Sequence, residues 1–155
     1  MKIFTLNREQ ELPISIEEAW AFFSAPNNLD KITPPELGFV IKSQLGDDGI
    51  FRGMKIQYIV RPLFGIPLKW ITEISEVNAP YLFVDNQLKG PYALWEHTHH
   101  FTTIPGGVKM RDEVRYGLPL GWLGLLAHKF IVRKKLADIF NYRKNILERI
   151  FPKSN

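Results

Sequence analysis

Hydrophobic and polar residues alternate along the middle of the chain. The alternation is clearest in residues 54–61, 68–75, 95–102 and 110–116. A period of two is typical of β-strands that bury one face. Short segments rich in turn-forming residues separate the runs, among them Gly46-Asp47-Asp48-Gly49. Because consecutive strands joined by short turns pair antiparallel, the pattern predicts an antiparallel meander with one covered face.

Before the sheet, the sequence predicts one strand and two short helices. Residues 2–12 mix β-forming and polar residues and form the first strand. Ser15 can accept a hydrogen bond at a helix start while Glu18, three residues later, reaches back, which is the pattern of a capping box. A second short helix is predicted from Asn27 to Ile32, where the prolines that follow end it.

The last part of the chain returns to a helical period and contains no Gly or Pro from Leu125 to Phe151. Apolar residues recur there at spacings of four and seven, which predicts one buried stripe. The stripe consists of Leu125, Val132, Leu136, Phe140, Leu147 and Phe151. The order of elements therefore predicts an α+β fold, in which a curved antiparallel sheet of about seven strands wraps around a long C-terminal helix.

Composition and charge narrow the functional classes. A chain of 155 residues, of which 45% are hydrophobic, fits a single domain over residues 1–155. The net charge of +4 raises a nucleic-acid hypothesis, but the only compact basic run, Arg133-Lys134-Lys135, lies on a predicted helix without the aromatic residues of a nucleic-acid module. No nucleic-acid partner is expected. With no apolar stretch of about 18–20 residues, we expect a cytoplasmic protein without stable membrane insertion.

Two histidines on one strand carry the candidate chemistry. Alternation places His97 and His99 on the same inward face, with Cα atoms about 6.5–7 Å apart. Such a pair can bind a ligand's oxygens, transfer protons near neutral pH or ligate a metal, or it can serve structure alone. The spacing supplies only two metal ligands, and the chain has no cysteine, so neither a metal nor a cofactor is predicted.

Asp112 is a carboxylate on the apolar face of its strand. Met110 and Val114 are its neighbours on that face. Because a charged carboxylate buried alone is costly, Asp112 must be paired or protonated. His97 or His99, on the adjacent strand of the predicted hairpin, can pair with it. The couple can be a structural ion pair or an oriented acid/base.

Segments spread over nearly the whole chain carry a family resemblance. They are PNNL (26–29), ITPP (32–35), GIPLKW (65–70), FVDNQ (83–87), GPY (90–92), WEHTHHF (95–101) and MRDEVRY (110–116). Together with the order of elements, these segments resemble the SRPBCC superfamily of START-related and pollen-allergen-like domains. Within it they resemble a bacterial branch of ligand-binding or polyketide cyclase/dehydrase-like proteins. The resemblance implies a helix-grip fold, and it places Asp85 and Gln87 inward, where alternation is ambiguous.

The predicted site is an apolar cavity between the sheet and the C-terminal helix, with a few polar groups. Its ligand-binding candidates are Tyr58, Trp70, Asp85, Gln87, Trp95, His97, His99, Asp112 and Tyr116. The leading hypothesis is binding of a small hydrophobic or amphipathic, oxygen-bearing molecule that is lipid-like or polyketide-like. One alternative is a cyclase/dehydratase-like enzyme that uses His97, His99 and Asp112 as acid–base groups. Another is an interaction protein whose core is filled by its own aromatic side chains.

The loop at residues 61–67 is too apolar for an ordinary surface turn. It can act as a gate over the ligand or as a patch that touches a membrane or a partner. Alternatively, it folds onto the long helix as part of the core.

Overall fold

The computed structural model describes residues 1–46 and 49–154, and these residues form one seven-stranded antiparallel sheet. Asp47 and Asp48, within the turn predicted at residues 46–49, lie outside the described residues. The strands are β1 (Phe4–Leu12), β2 (Val40–Ile41), β3 (Lys55–Val60), β4 (Leu68–Asn78), β5 (Leu82–Lys89), β6 (Leu94–Ile104) and β7 (Gly107–Gly117). Their order, β1-β7-β6-β5-β4-β3-β2, confirms the predicted meander, and β1 pairs with β7 at one edge.

Irregular pairing bends the centre of the sheet. The register between β4 and β5 shifts between Ile71 and Thr72, and again between Ile74 and Glu76. An extra residue on one strand of an antiparallel pair bends that strand and increases its twist. The concave face that results holds the C-terminal helix, as the helix-grip architecture requires.

Short helices follow β1 as the sequence predicts. Helix α1 (Ile16–Phe23) begins after Ser15, whose hydroxyl oxygen accepts a hydrogen bond of 3.1 Å from the Glu18 backbone N–H. This bond satisfies one of the free N–H groups of the first helical turn. The second predicted helix is a 3-10 helix, Pro26–Ile32, and a further 3-10 turn covers Pro35–Leu37.

The C-terminal helix starts earlier than predicted and changes phase within its length. It consists of α2 (Gly121–Ala127), a π-helical turn (His128–Val132) and α3 (Arg133–Ile150). The expected burial of Leu125 is wrong, since that side chain is 43% exposed. A π-turn adds one residue to a helical turn, so the segment before it is rotated relative to the stripe after it. Within the described residues, no helix is both long and apolar enough to span a membrane.

The core lies between this helix and the concave face of the sheet. Leu136, Phe140 and Leu147 of α3 are buried, which confirms the central part of the predicted stripe. Leu147 joins the cluster formed by α1, β6 and β7, whereas Leu136 and Phe140 pack with Val114 of β7. The two clusters leave polar residues of β5, β6 and β7 between them, beneath the middle of α3.

Candidate functional site

Four titratable side chains from three adjacent strands meet beneath α3. They are Asp85 of β5, His97 and His99 of β6, and Asp112 of β7. The last three are buried, with 6%, 8% and 7% of their surface exposed, as alternation predicts. Strand pairing brings them together because Asp85 lies opposite His97 and Asp112 lies opposite His99.

The hydrogen bonds within this cluster do not join the residues that lie directly opposite each other in the sheet. His97 Nε2 lies 2.8 Å from Asp112 Oδ1, and His99 Nε2 lies 2.7 Å from Asp85 Oδ2. The contacts between directly opposed residues are longer, 3.9 Å for His97 Nδ1 to Asp85 and 3.5 Å for His99 Nδ1 to Asp112. The two imidazole rings stack with their centroids 3.7 Å apart. Each carboxylate therefore fixes one ring and touches the other, which holds both rings in one orientation.

Arg143 of α3 completes the cluster from the helix side. Its Nη2 lies 3.6 Å from Asp112 Oδ1, and the side chain is 10% exposed. The guanidinium also lies over the rings of Phe23 and Phe140, at 5.4 and 5.9 Å from their centroids. The sequence analysis missed Arg143. The available signal was its position three residues after Phe140 and four before Leu147, which places a cation on the apolar stripe.

Burial and neighbouring charges shift the pKa of each carboxyl group in opposite directions. Burial alone would raise the pKa of Asp112, but Arg143, and then the hydrogen bond from His97, hold that pKa far below its usual value. Burial would likewise raise the pKa of Asp85, whereas the hydrogen bond from His99 and the nearby side chains of His97 and Arg143 lower it. Both groups are therefore carboxylates at neutral pH and accept hydrogen bonds.

His99 is a neutral imidazole at neutral pH. Burial, and then the neighbouring His97, lower the pKa of His99 to about 4. Because Asp85 is a carboxylate, the proton of His99 lies on Nε2, which donates to it. Nδ1 of His99 is then a hydrogen-bond acceptor.

The predicted aromatic residues form a continuous row across β3, β4, β6 and β7. Tyr58 stacks on Trp70 at 5.9 Å, Trp70 meets Trp95 edge-on at 5.3 Å, and Trp95 lies 6.3 Å from Tyr116. Tyr92, which the sequence analysis did not include in the site, contacts the last three of these rings at 4.8 to 6.0 Å. The rings thus contact one another, and Tyr92, Trp95 and Tyr116 also pack with Leu136 and Phe140 of α3.

Two of the predicted ligand-binding residues, Gln87 and Tyr116, make hydrogen bonds within the protein. Gln87 bonds the backbone of Tyr92 at both ends, through Nε2 to the carbonyl at 2.7 Å and through Oε1 to the N–H at 3.1 Å. It closes the turn between β5 and β6 and forms no hydrogen bond with the histidine cluster. The Tyr116 hydroxyl lies 2.8 Å from Nε2 of His128, in the π-turn, and so ties β7 to the C-terminal helix.

A cavity of about 80 Å³ lies beside the cluster. Asp85, His99 and Arg143 form one polar side of it, whereas the remaining wall is mainly apolar and includes Phe22, Phe23, Phe39, Ile56, Tyr58 and Ile74. Of the nine predicted ligand-binding residues, Tyr58, Asp85 and His99 line this cavity. The volume holds several water molecules, but it is smaller than the cavity of about 150 Å³ that accommodates benzene in another protein.

Unsatisfied polar atoms occur on this polar side. Within residues 1–46 and 49–154, three buried side-chain nitrogens have no hydrogen-bond partner: Trp70 Nε1, His99 Nδ1 and Arg143 Nε. The last two belong to residues that line the cavity. One is an acceptor and the other a donor, so an oxygen that both donates and accepts, such as a hydroxyl or a carboxylic acid, matches the pair.

Three residues of the histidine–aspartate cluster also form a possible set of metal ligands. One atom each from Asp85, His97 and His99 lies within 4.8 Å of the others. Ligands of a tetrahedral zinc ion at about 2.0–2.1 Å are roughly 3.3 Å apart, so the 2.7 Å contact between Asp85 and His99 would have to open. Arg143 adds a positive charge beside the group. The arrangement fits a hydrogen-bonded network better than a metal centre.

Comparison with solved structures shows the same fold in other proteins. Protein CV1439 from Chromobacterium violaceum is 15% identical, with a TM-score of 0.71 over 97% of this chain and 98% of that one. Protein TTHA0849 from Thermus thermophilus is 16% identical, with a TM-score of 0.67 over 94% and 95%. Ara h 8.0201 is 15% identical, with a TM-score of 0.59 over 96% and 99%. At these identities the likeness shows the fold alone.

Comparison of the sequence with protein families and with curated proteins identifies no relative. No protein-family model matches the chain, and no curated protein matches it.

Proposed function

We propose that this chain is a ligand-binding member of the SRPBCC superfamily, with a single domain over residues 1–155. Its ligand is a small amphipathic molecule whose oxygen-bearing end lies beside His99 and Arg143, and whose apolar part occupies the cavity. The helix-grip fold and the resemblance of the sequence segments support the membership. The observation that carries the function is that His99 and Arg143, which line the polar side of a mainly apolar cavity, each have a buried side-chain nitrogen without a hydrogen-bond partner.

The chemistry of that polar side defines the ligand's polar group. Leaving a buried donor or acceptor unpaired costs about 1–3 kcal/mol, and a ligand that pairs both nitrogens recovers this energy. Arg143 is cationic and its Nε–H donates, whereas His99 Nδ1 accepts, so a hydroxyl oxygen pairs both nitrogens and a carboxylate oxygen pairs Arg143 alone. Asp85 and Asp112, both anionic, disfavour a second carboxylate elsewhere in the cavity. One acidic or hydroxyl group at the end of an apolar body satisfies these constraints.

The size of the cavity requires side chains to move when a ligand binds. Both unpaired nitrogens are fully buried, and a cavity of about 80 Å³ does not hold a lipid-like molecule. Phe22, Phe23 and Phe39 line the side away from the sheet centre, on α1 and the segments that precede β2. Aromatic side chains on short elements can rotate at lower cost than those on central strands. We therefore place the opening on that side.

Catalysis in the same cavity is the less favoured alternative. A general base works best when its pKa is close to the operating pH. Since burial lowers the pKa of His99 to about 4, His99 is a weak base at neutral pH. The pKa values of Asp85 and Asp112 are lowered as well, so neither carboxyl holds a proton that it could give to a leaving hydroxyl. For His99, Asp85 and Asp112, the directions of these pKa shifts favour binding over a cyclase/dehydratase-like reaction.

The test is a two-dimensional NMR titration of the ¹⁵N-labelled protein with octanoate and, separately, with 1-octanol. We expect saturable shifts of backbone amides at cavity-lining residues such as Ile56 and Ile74. Arg143→Gln should weaken octanoate binding by about tenfold or more, because it removes a charge-assisted hydrogen bond. Arg143→Lys separates the loss of charge from the loss of the Nε–H donor.

Arg149→Gln is the matched control, because Arg149 lies on the same helix with its side chain exposed. It should leave octanoate binding unchanged. If neither probe shifts the cavity-lining amides, the cavity is closed by its own side chains, and the interaction-protein alternative replaces the proposal. The melting temperature of each variant shows whether the variant is folded. A lower affinity is attributed to the lost contact only in variants that remain folded.

A further inference from the structure

A large apolar surface is exposed where the C-terminal helix begins and where β3 turns into β4. We call it the apolar end. It consists of Leu63, Phe64, Ile66, Leu120, Trp122, Leu123, Leu125, Leu126, Phe130 and Ile131, which are 37% to 92% exposed. Single exposed apolar residues are normal, but a contiguous group of large ones marks an interaction site. The sequence-based alternative that places the loop at residues 61–67 in the core is therefore wrong.

The two parts of the apolar end are tied to each other. Lys135 Nζ of α3 donates a hydrogen bond of 3.1 Å to the carbonyl oxygen of Pro62, in the β3–β4 loop. Arg61 Nη1 braces the same loop through a bond of 2.8 Å to the Gly65 carbonyl oxygen. The loop therefore lies against the C-terminal helix at Lys135, about one helical turn after Ile131.

Backbone strain coincides with the most exposed of these side chains. Of the described residues other than glycine, Phe64 and Leu120 are the two with positive φ, at 54° and 71°. They are also 92% and 75% exposed. The left-handed region is unfavourable for bulky residues, and such strain concentrates at functional sites. Here it holds two large apolar side chains out in solvent.

Basic residues outnumber acidic ones around this surface. Residues 61–69 and 118–138 contain Arg61, Lys69, Lys129, Arg133, Lys134 and Lys135, and one acidic residue, Asp138, which pairs with Lys134 at 2.8 Å. These segments hold six of the 20 Lys and Arg residues and one of the 16 Asp and Glu residues, so the rest of the chain has 14 basic against 15 acidic residues. The positive net charge of the protein is therefore located at the apolar end.

We infer that the apolar end docks onto an anionic lipid bilayer surface. Trp122, Phe130 and Phe64 enter the headgroup region, where aromatic side chains are favoured, and the surrounding Lys and Arg residues face lipid phosphates. A second copy of the chain is a poor occupant, because two such surfaces would bring like charges together. The inference does not depend on the ligand proposed for the cavity.

The experiment is sedimentation of the full chain with vesicles of two compositions. We expect binding to phosphatidylcholine vesicles that contain phosphatidylglycerol and much weaker binding to pure phosphatidylcholine vesicles. Raising the salt from about 0.1 M to about 1 M shortens the Debye length from about 10 Å to about 3 Å, so binding should weaken. Lys129→Gln together with Arg133→Gln should weaken it by roughly 30-fold, since each basic residue near the surface contributes.

Phe64→Ser combined with Trp122→Ser tests the apolar contribution, and we expect a decrease of roughly tenfold or more. The matched control is Tyr81→Ser with Leu88→Ser, two residues that are 56% and 53% exposed outside the apolar end. That control should bind as the unaltered protein does. Because all four side chains are exposed, the fold should persist, and circular dichroism checks this.

Two results would overturn the inference. One is equal, weak sedimentation with both vesicle compositions at low salt. The other is a concentration-dependent dimer in analytical ultracentrifugation that Phe64→Ser with Trp122→Ser abolishes, without vesicle binding by the unaltered protein. A blue shift of tryptophan emission on anionic vesicles that Trp122→Phe removes would support the inference directly.

Discussion

His97 and Asp112 are hydrogen-bonded at 2.8 Å although they are not opposite each other in the sheet. His99 occupies the position opposite Asp112, and its Nδ1 remains without a hydrogen bond. Because the hydrogen bonds do not follow the strand pairing, each carboxylate holds one histidine. Nδ1 of His99 then remains for other partners. The arrangement also makes Asp112 the point where β6, β7 and α3 are electrostatically joined, since Arg143 contacts the same oxygen.

We expect Asp112→Asn to destabilise the protein strongly. The substitution leaves the buried guanidinium of Arg143 without its carboxylate, and breaking a buried charge pair costs about 3–5 kcal/mol. Urea unfolding followed by circular dichroism measures the loss. Asp138→Asn is the control, because Asp138 forms an exposed ion pair with Lys134, for which we expect a loss of less than about 1 kcal/mol. Equal losses for both variants would show that the cluster does not hold α3 on the sheet.

Stability should fall as the pH is lowered from about 6.5 to about 4. In this window the unfolded chain protonates His99, whereas the folded protein does not, because the folded pKa is about 4. The free energy of unfolding then decreases by roughly 3 kcal/mol from this group. The titratable groups that face His99 are Asp85 of β5, His97 of β6 and Asp112 of β7, and Arg143 of α3 contacts Asp112.

Urea titrations at a series of pH values measure this slope. The lowered pKa values of Asp85 and Asp112 mean that their contribution is present above about pH 4 and is lost only below it. His99→Gln should flatten the curve between about pH 4 and 6.5. His100→Gln should keep most of the slope, since His100 lies on the other face of β6 and is only partly buried. An unchanged slope in His99→Gln would rule out this assignment.

Tyr116→Phe should lower the stability by about 1 kcal/mol. It removes the hydroxyl that meets His128 Nε2 at 2.8 Å and leaves a buried nitrogen unpaired. For a chain of this size the melting temperature should drop by about 2–4 °C, as measured by calorimetry. Tyr81→Phe, at a position that is 56% exposed, should have no measurable effect. A drop of the same size in both variants would show that the loss of stability does not come from the hydrogen bond to His128.

Leu125→Ala and Leu136→Ala test the phase change at the π-turn. Leu136 is 4% exposed, and its truncation should cost about 2–5 kcal/mol, whereas Leu125 is 43% exposed and should cost less than about 1 kcal/mol. Urea unfolding compares the two variants directly. A similar, large loss for both would mean that a single stripe runs along the whole helix.

The sequence predicted the sheet from its alternation, the capped first helix from the Ser15–Glu18 capping box, and the pairing of Asp112 with a histidine from the cost of a lone buried carboxylate, because each signal is local. The π-turn was not predictable, since apolar spacing at Leu125 fits an uninterrupted α-helix equally well. Arg143 was missed because the search for a buried stripe counted only apolar residues. Alternation correctly placed Trp70, Trp95 and Tyr116 inward, but it does not show whether inward side chains line a cavity or contact one another. That distinction depends on long-range packing.

Strand β2 is the shortest in the sheet, and one of its two residues lines the cavity. Val40–Ile41 pairs with β3 through two residues, and Ile41 lines the cavity next to Phe39. Detaching so short an edge strand breaks few hydrogen bonds, so it opens far more often than the whole protein unfolds. We therefore expect β2, together with the neighbouring Phe39, to be the part of the cavity wall that opens for the proposed ligand, and amide hydrogen exchange there to be faster than in β6 or β7. Substitutions that stabilise the core would not slow the opening of β2, whereas a longer β2 with more hydrogen bonds to β3 would.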